Sequence, residues 1–88
     1  MTLLDKISYV KRGKNRKKVF LALEDGMMPS EVAKKVFGKT TNTYFNLVSR
    51  ALGELRDEGL VEVVNPNEKT GRLYKITPLG SKVQKKLP

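Results

Sequence analysis

Asn42, Asn46 and Arg50 recur every four residues in the stretch TTNTYFNLVSRALGELRDEG, with Thr43 and Leu47 between them. At the helical repeat, such residues share one side of a cylinder. The amide of Asn carries a donor and an acceptor that match the adenine edge, while the guanidinium of Arg can bond guanine O6 and N7 together. Thr40, Thr41 and Thr43 add hydroxyls that reach phosphate or a base. Leu47 is the one apolar member of this side, suited to a thymine methyl or a sugar, although a single exposed Leu is ordinary. This chemistry is hydrogen-bond readout, not bond making. The chain has no His and no Cys, so the usual general base, the thiol nucleophile and the soft metal ligands are missing. No catalytic residue, metal or cofactor is expected, and the chain is not expected to be an enzyme. The competing reading of Arg50 is an exposed pair with Glu54 one turn later, worth a few tenths of a kcal/mol. Each of the other polar residues fits a helix cap or a solvated surface as readily.

A second group lies in the polar run NPNEKTGR, where Asn67, Lys69, Thr70 and Arg72 can follow a backbone or enter a narrow groove of concentrated negative potential. A solvated turn is the plainer alternative. Charge supports a polyanionic partner: 18 Lys and Arg against 9 Asp and Glu give a net charge of +9 and a pI near 10.0. No acid stands between Asp5 and Glu24, while Lys11, Arg12, Lys14, Arg16, Lys17 and Lys18 crowd that interval. Lys14, Arg16 and Lys17, together with Lys39, are therefore candidates for contact with the phosphate backbone. General solubility, or a basic protein of ribosomes, explains the same charge less specifically.

The elements that must position these groups follow from periodicity and punctuation. Leu3, Leu4, Ile7 and Val10 predict an amphipathic helix up to about Arg12, with Thr2 and Asp5 forming a capping box. Gly13 breaks it, and Asn15 is expected to cap a second helix carrying Val19, Phe20 and Leu23. Ser30 is expected to cap a third, SEVAKKVFG, stopped by Gly38. The long helix then runs from near Thr41 to near Glu58, with Phe45, Val48, Leu52 and Leu55 as its core stripe and Tyr44 and Ala51 beside it. Gly59 ends it. Leu60 to Val64 and Arg72 to Ile76 predict a hairpin, and Thr77-Pro78 opens a last helix with Leu79, Val83 and Leu87 inward. The predicted class is mainly α with a small β-hairpin, in the order α-α-α-α-β-β-α. All 88 residues form one domain: an N-terminal helix over 1–12, a helix-turn-helix core over 15–58, a hairpin over 60–76 and a C-terminal helix over 78–88.

Two other patterns carry little. Gly38-Lys39-Thr40 echoes the end of a phosphate-binding loop, but Ala33 stands where that loop needs its first glycine. The six Tyr and Phe mostly fall in core register, which argues against stacking platforms for single strands. No apolar run approaches the roughly 20 residues of a membrane span, and MTLLDKISYVKRGK carries its charges in the reverse order of a secretory signal. A cytoplasmic protein without a membrane partner is expected.

The segment SEVAKKVFGKTTNTYFNLVSRALGELRDEGLVEVVNPNEKTGRLYKITPLG resembles the winged helix-turn-helix regulators of archaea and bacteria, broadly of ArsR and MarR type. The similarity covers about residues 15–88, closest in VSRALGELRDEGLVE, GRLYKIT and the PLG helix start. It implies that the helix from Thr41 to Glu58 enters the major groove with Asn42, Thr43, Asn46, Leu47 and Arg50 near the bases, and that the hairpin is a wing. It also implies a homodimer built by terminal helices, for which Leu3, Leu4, Ile7, Val10, Val83 and Leu87 are the candidates. The same residues suit an intrachain core equally well. The chain departs from metal-sensing members by lacking Cys and His, and it names no small-molecule effector. The expected function is that of a transcription regulator that prefers certain sequences of double-stranded DNA. The alternatives are a winged-helix interaction module of a transcription or replication assembly, and a nonspecific basic protein of chromatin or RNA.

Overall fold

The computed structural model describes residues 2–69 and 71–87. Among these residues, five helices and one two-stranded hairpin follow in the order α1 (Leu3–Arg12), α2 (Lys14–Ala22), α3 (Pro29–Phe37), α4 (Asn42–Asp57), β1 (Val61–Val63), β2 (Tyr74–Ile76) and α5 (Pro78–Lys86). Among the described residues no helix is long and apolar enough to cross a membrane.

Local chemistry sets most of the helix ends. Thr2 Oγ1 accepts from the Asp5 amide at 3.2 Å, and the Asp5 carboxylate accepts from the Thr2 amide at 3.1 Å. The Thr2 backbone N–H, and then its hydroxyl, hold the Asp5 carboxyl below its ordinary pKa. Thr41 caps α4 by accepting from the Tyr44 amide at 3.3 Å, and Thr77 caps α5 by accepting from Gly80 at 3.0 Å. Gly38, at φ 74°, closes α3 in the left-handed conformation that lets the chain turn toward α4.

Two caps differ from expectation. α2 starts one residue ahead of Asn15, with Gly13 at the cap and no side-chain cap bond. The Arg16 side chain folds back over Gly13 so closely that a Cβ there would lie 2.7 Å from its guanidinium carbon. Ser30 likewise falls inside α3, which begins at Pro29 behind Met28. Proline already has helical φ and no N–H to satisfy, and the Glu31 carboxylate takes the Met28 amide at 2.9 Å.

The core is shared by all five helices and the hairpin, with Val10, Val19, Phe20, Val32, Val48, Leu52, Leu55, Leu60 and Val83 fully buried. α4 packs on α2, α3 and β1, while α1 packs on α2 and α5. The stripe that α4 turns inward is Val48, Ala51, Leu52 and Leu55. Phe45 is not part of it and is 41% exposed. At about 100° per residue, Phe45 lies about 20° from the buried Leu52 and Tyr44 about 20° from the buried Ala51, so angle alone does not separate the two. Tertiary packing does: Tyr44 stacks on Phe37 of α3 with ring centroids 4.6 Å apart, while Phe45 lies toward the hairpin loop.

The strands are shorter than their sequence pattern, three residues each, paired antiparallel as Val61 with Ile76, Glu62 with Lys75 and Val63 with Tyr74. Leu60 is held by the end of α4 through its amide on the Leu55 carbonyl, at 3.0 Å, and its own carbonyl accepts from Thr77 at 3.1 Å. Met27 adds an isolated bridge on the other edge, exchanging bonds of 3.0 and 2.8 Å with Tyr74. That pairing ties the α2–α3 loop to the hairpin and was not legible in the sequence.

Ile7, Val10 and Val83, offered above as pairing residues, are buried within the single chain. Small domains need every deep apolar side chain for their own core, and these three are engaged there. Leu87 packs partly against the same core, which leaves Leu3 and Leu4 exposed, Leu4 at 75%.

Candidate nucleic-acid interface

α4 presents three distinct flanks once its core stripe is fixed. Its outward side carries Asn42, Thr43, Asn46 and Arg50, all exposed, and Thr43, Asn46, Leu47 and Arg50 line one shallow depression of about 280 Å³. These sequence-selected residues are thus brought together, with Asn42 next to Thr43 and one turn before Asn46. Leu47 is half-buried. It sits about 20° around the helix from Glu54, on the flank that meets α2, so its apolar nature has a packing reason.

That second flank decides the state of Arg50. Glu54 accepts from Arg16 of α2 at 3.4 Å and pairs with it. The expected competitor for Arg50 is therefore engaged elsewhere, and Arg50 forms no salt bridge among the described residues.

Arg16 itself is corrected by the same geometry. Both its Nε, at 3.0 Å, and one terminal nitrogen donate to the Tyr9 carbonyl, and its guanidinium lies 3.7 Å above the Tyr9 ring. With only 13% of its side chain exposed, it clasps α1, α2 and α4 and does not face outward. Arg16→Ala is expected to lower stability by about 1.5 kcal/mol, the scale of a charged hydrogen bond whose carbonyl is left without its partner. Arg16→Lys should recover little of it, since an ammonium cannot fork to two acceptors and stack at once; chemical denaturation measures both. Lys6 plays a similar part, donating to the Glu58 carbonyl at 2.7 Å. Lys14 and Lys39 remain exposed and Lys17 half-exposed, as a backbone-contacting role requires.

The threonines before α4 have structural tasks. Thr40 donates to the Ser30 carbonyl at 3.3 Å, bracing the α3–α4 turn, and Thr41 is the cap. Both remain exposed beside the outward side.

The third flank faces the hairpin. Phe45 and Ser49 of α4 form one wall of a groove of about 460 Å³, opposite Lys69, Gly71 and Arg72, with Met28, Pro29, Ser30 and Tyr74 at its base. Asn65 shapes the loop: its carbonyl oxygen accepts from Leu73 at 2.7 Å and its amide donates to Gly71 at 3.2 Å. The Arg72 Nε donates to the Glu68 carbonyl at 2.8 Å, which fixes the guanidinium along the loop. Lys69 and Asn67 are exposed, and Thr70 lies outside the described residues. Phe45 and Asn65 were missed as members of this region. No local signal marked Phe45, which shares its angular position with the buried Leu52; the tendency of Asn to bond nearby backbone was the signal for Asn65.

Exposed cations thus occur on the hairpin loop, at Lys69, and at the start of α2, at Lys14, with Arg72 and Lys17 half-exposed. The arrangement can hold an extended polyanion while hydrogen-bonding groups face what lies between its charged edges. No family model, curated protein or solved structure matches the chain.

Proposed function

We propose that the chain is a winged helix-turn-helix regulator of transcription that binds double-stranded DNA with sequence preference. In this reading α3 and α4 form the helix-turn-helix, α4 enters the major groove, and the loop between β1 and β2 is a wing on the adjacent backbone or minor groove. The observation that carries it is the outward side of α4, where Asn42, Asn46 and an Arg50 without an acidic partner among the described residues stand together and exposed. Arg50 and the asparagines have the groups for base edges, while Lys69, Lys14, Lys17 and Lys39 have the charge for phosphate. Two chains joined into a homodimer would present two such helices to half-sites one turn of DNA apart. The surface left for that pairing centres on Leu3 and Leu4.

Selection of bound duplexes from a random pool, followed by titration of the selected and an unrelated sequence at several salt concentrations, tests the proposal. A regulator yields an enriched sequence and a specificity ratio well above one. Equal affinity for every duplex favours a nonspecific chromatin protein, and no binding favours an interaction module. Lys69→Ala should weaken the selected and unrelated duplexes alike and lower the salt slope by about 1, the signature of one lost phosphate contact. A loss confined to the selected sequence would assign the wing a reading role instead.

A further inference from the structure

Two glycines lie inside helices, Gly53 in α4 and Gly80 in α5. Glycine weakens a helix interior, so each position calls for a cause. Gly80 has one within the chain, since a Cβ there would overlap the Leu60 carbonyl. Gly53 has none: a Cβ would meet nothing within 4 Å, and its φ lies outside the left-handed range. Neither packing nor backbone conformation inside the chain accounts for it.

Its place on α4 does suggest a cause. At about 100° per residue, Gly53 falls within roughly 20° of both Asn42 and Asn46, so it continues the outward line one turn past Arg50. The rise from Asn42 to Gly53 is about 16 Å at about 1.5 Å per residue. In the DNA-binding reading, a helix inclined to the groove and set against the bases by Asn42, Asn46 and Arg50 leaves the base edges toward its far end, where a sugar-phosphate strand borders the groove. Resting on the DNA-binding reading above, we infer that Gly53 is where one DNA strand passes closest to α4, its missing side chain leaving room for the sugar-phosphate backbone to lie against the helix.

The chemical consequence is contact without base information. Exposed peptide groups and a bare helix surface meet deoxyribose and phosphate, which are common to all sequences. A side chain at position 53 should therefore weaken every duplex, in contrast to a change at Arg50. It should also strengthen the free protein, because alanine and leucine favour helix where glycine does not.

Gly53→Ala and Gly53→Leu test this on the full chain, with thermal unfolding and duplex titration measured side by side. Gly53→Ala is expected to raise Tm by about 4–8 °C and to weaken selected and random duplexes by the same factor, on the order of tenfold. Gly53→Leu should weaken both further while remaining folded. Unchanged duplex affinity in Gly53→Ala would overturn the inference and leave the DNA-binding reading standing. A lower Tm would also overturn it, by showing that the glycine serves the fold. Absence of duplex binding by the unaltered chain would remove both.

Discussion

Gly80→Ala is expected to lower stability by about 3 kcal/mol, although alanine is the better helix former by nearly 1 kcal/mol. The sign is decided by what the added methyl meets. A Cβ on Gly80 would overlap the Leu60 carbonyl oxygen and come within 3.0 Å of the Leu60 carbonyl carbon and of Ile76 Cγ2. Leu60 cannot withdraw easily, because its carbonyl accepts from Thr77 at 3.1 Å and its amide is bonded to Leu55 at 3.0 Å. Thr77 is itself fastened, donating to the Gly59 carbonyl at 2.7 Å while capping α5. The methyl must therefore lift α5 as a body. That movement exposes Val83 and strains the bond from Gln84 to the Phe20 carbonyl, now 2.8 Å. For a domain of this size the expected fall in Tm exceeds about 10 °C. Lys82→Ala, on the exposed side of the same helix, should stay within about 0.5 kcal/mol of the unaltered chain. Thermal unfolding of the two variants checks both statements, and an unchanged Tm for Gly80→Ala would refute the packing argument. The same exchange at Gly53 is expected to act with the opposite sign, so the pair separates helix propensity from tertiary fit.

What the sequence made legible was chemistry that acts within a turn or two. The Thr2–Asp5 box, the Thr41 cap, the Thr77-Pro78 start and the extent of α4 all depend on neighbours three or four residues away, and all stand where the local pattern put them. The errors have a different origin. Arg16 sits among Lys14, Lys17 and Lys18 and cannot be told from them locally; its partner Glu54 lies 38 residues away. Met27 pairs with Tyr74 through backbone alone, which no side-chain pattern announces. Ile7 and Val10 have the spacing of an amphipathic helix, but spacing does not say whether the apolar side meets the same chain or another. Packing of α1 on α2 and α5 answers that. Phe45 is a further case, since it lies about 20° around α4 from the fully buried Leu52 and only tertiary packing leaves it exposed.

Arg50→Ala should lower affinity for a selected duplex by about 1–3 kcal/mol, or roughly 5- to 150-fold. Random duplex should lose far less, because one phosphate-strength contact at most is removed there. A loss of this size requires Arg50 to be available before DNA arrives. Had Glu54 held it, part of any gain on binding would be cancelled by breaking that pair. Glu54 is instead held by Arg16 at 3.4 Å, so in the proposed complex Arg50 would have no bond to Glu54 to break. Its exposure predicts that Arg50→Ala leaves folding stability within about 0.5 kcal/mol, since an exposed surface side chain contributes little. Arg50→Lys separates charge from shape. An ammonium keeps the attraction to phosphate but cannot present two parallel donors to guanine, so random binding should be retained while most of the preference is lost. Titration of the three proteins on a selected and a random duplex gives the result directly. Equal losses on both duplexes for Arg50→Ala would place the guanidinium on the backbone and remove it from base readout. Asn42 and Asn46, on the same outward side, would then be the residues left to carry preference.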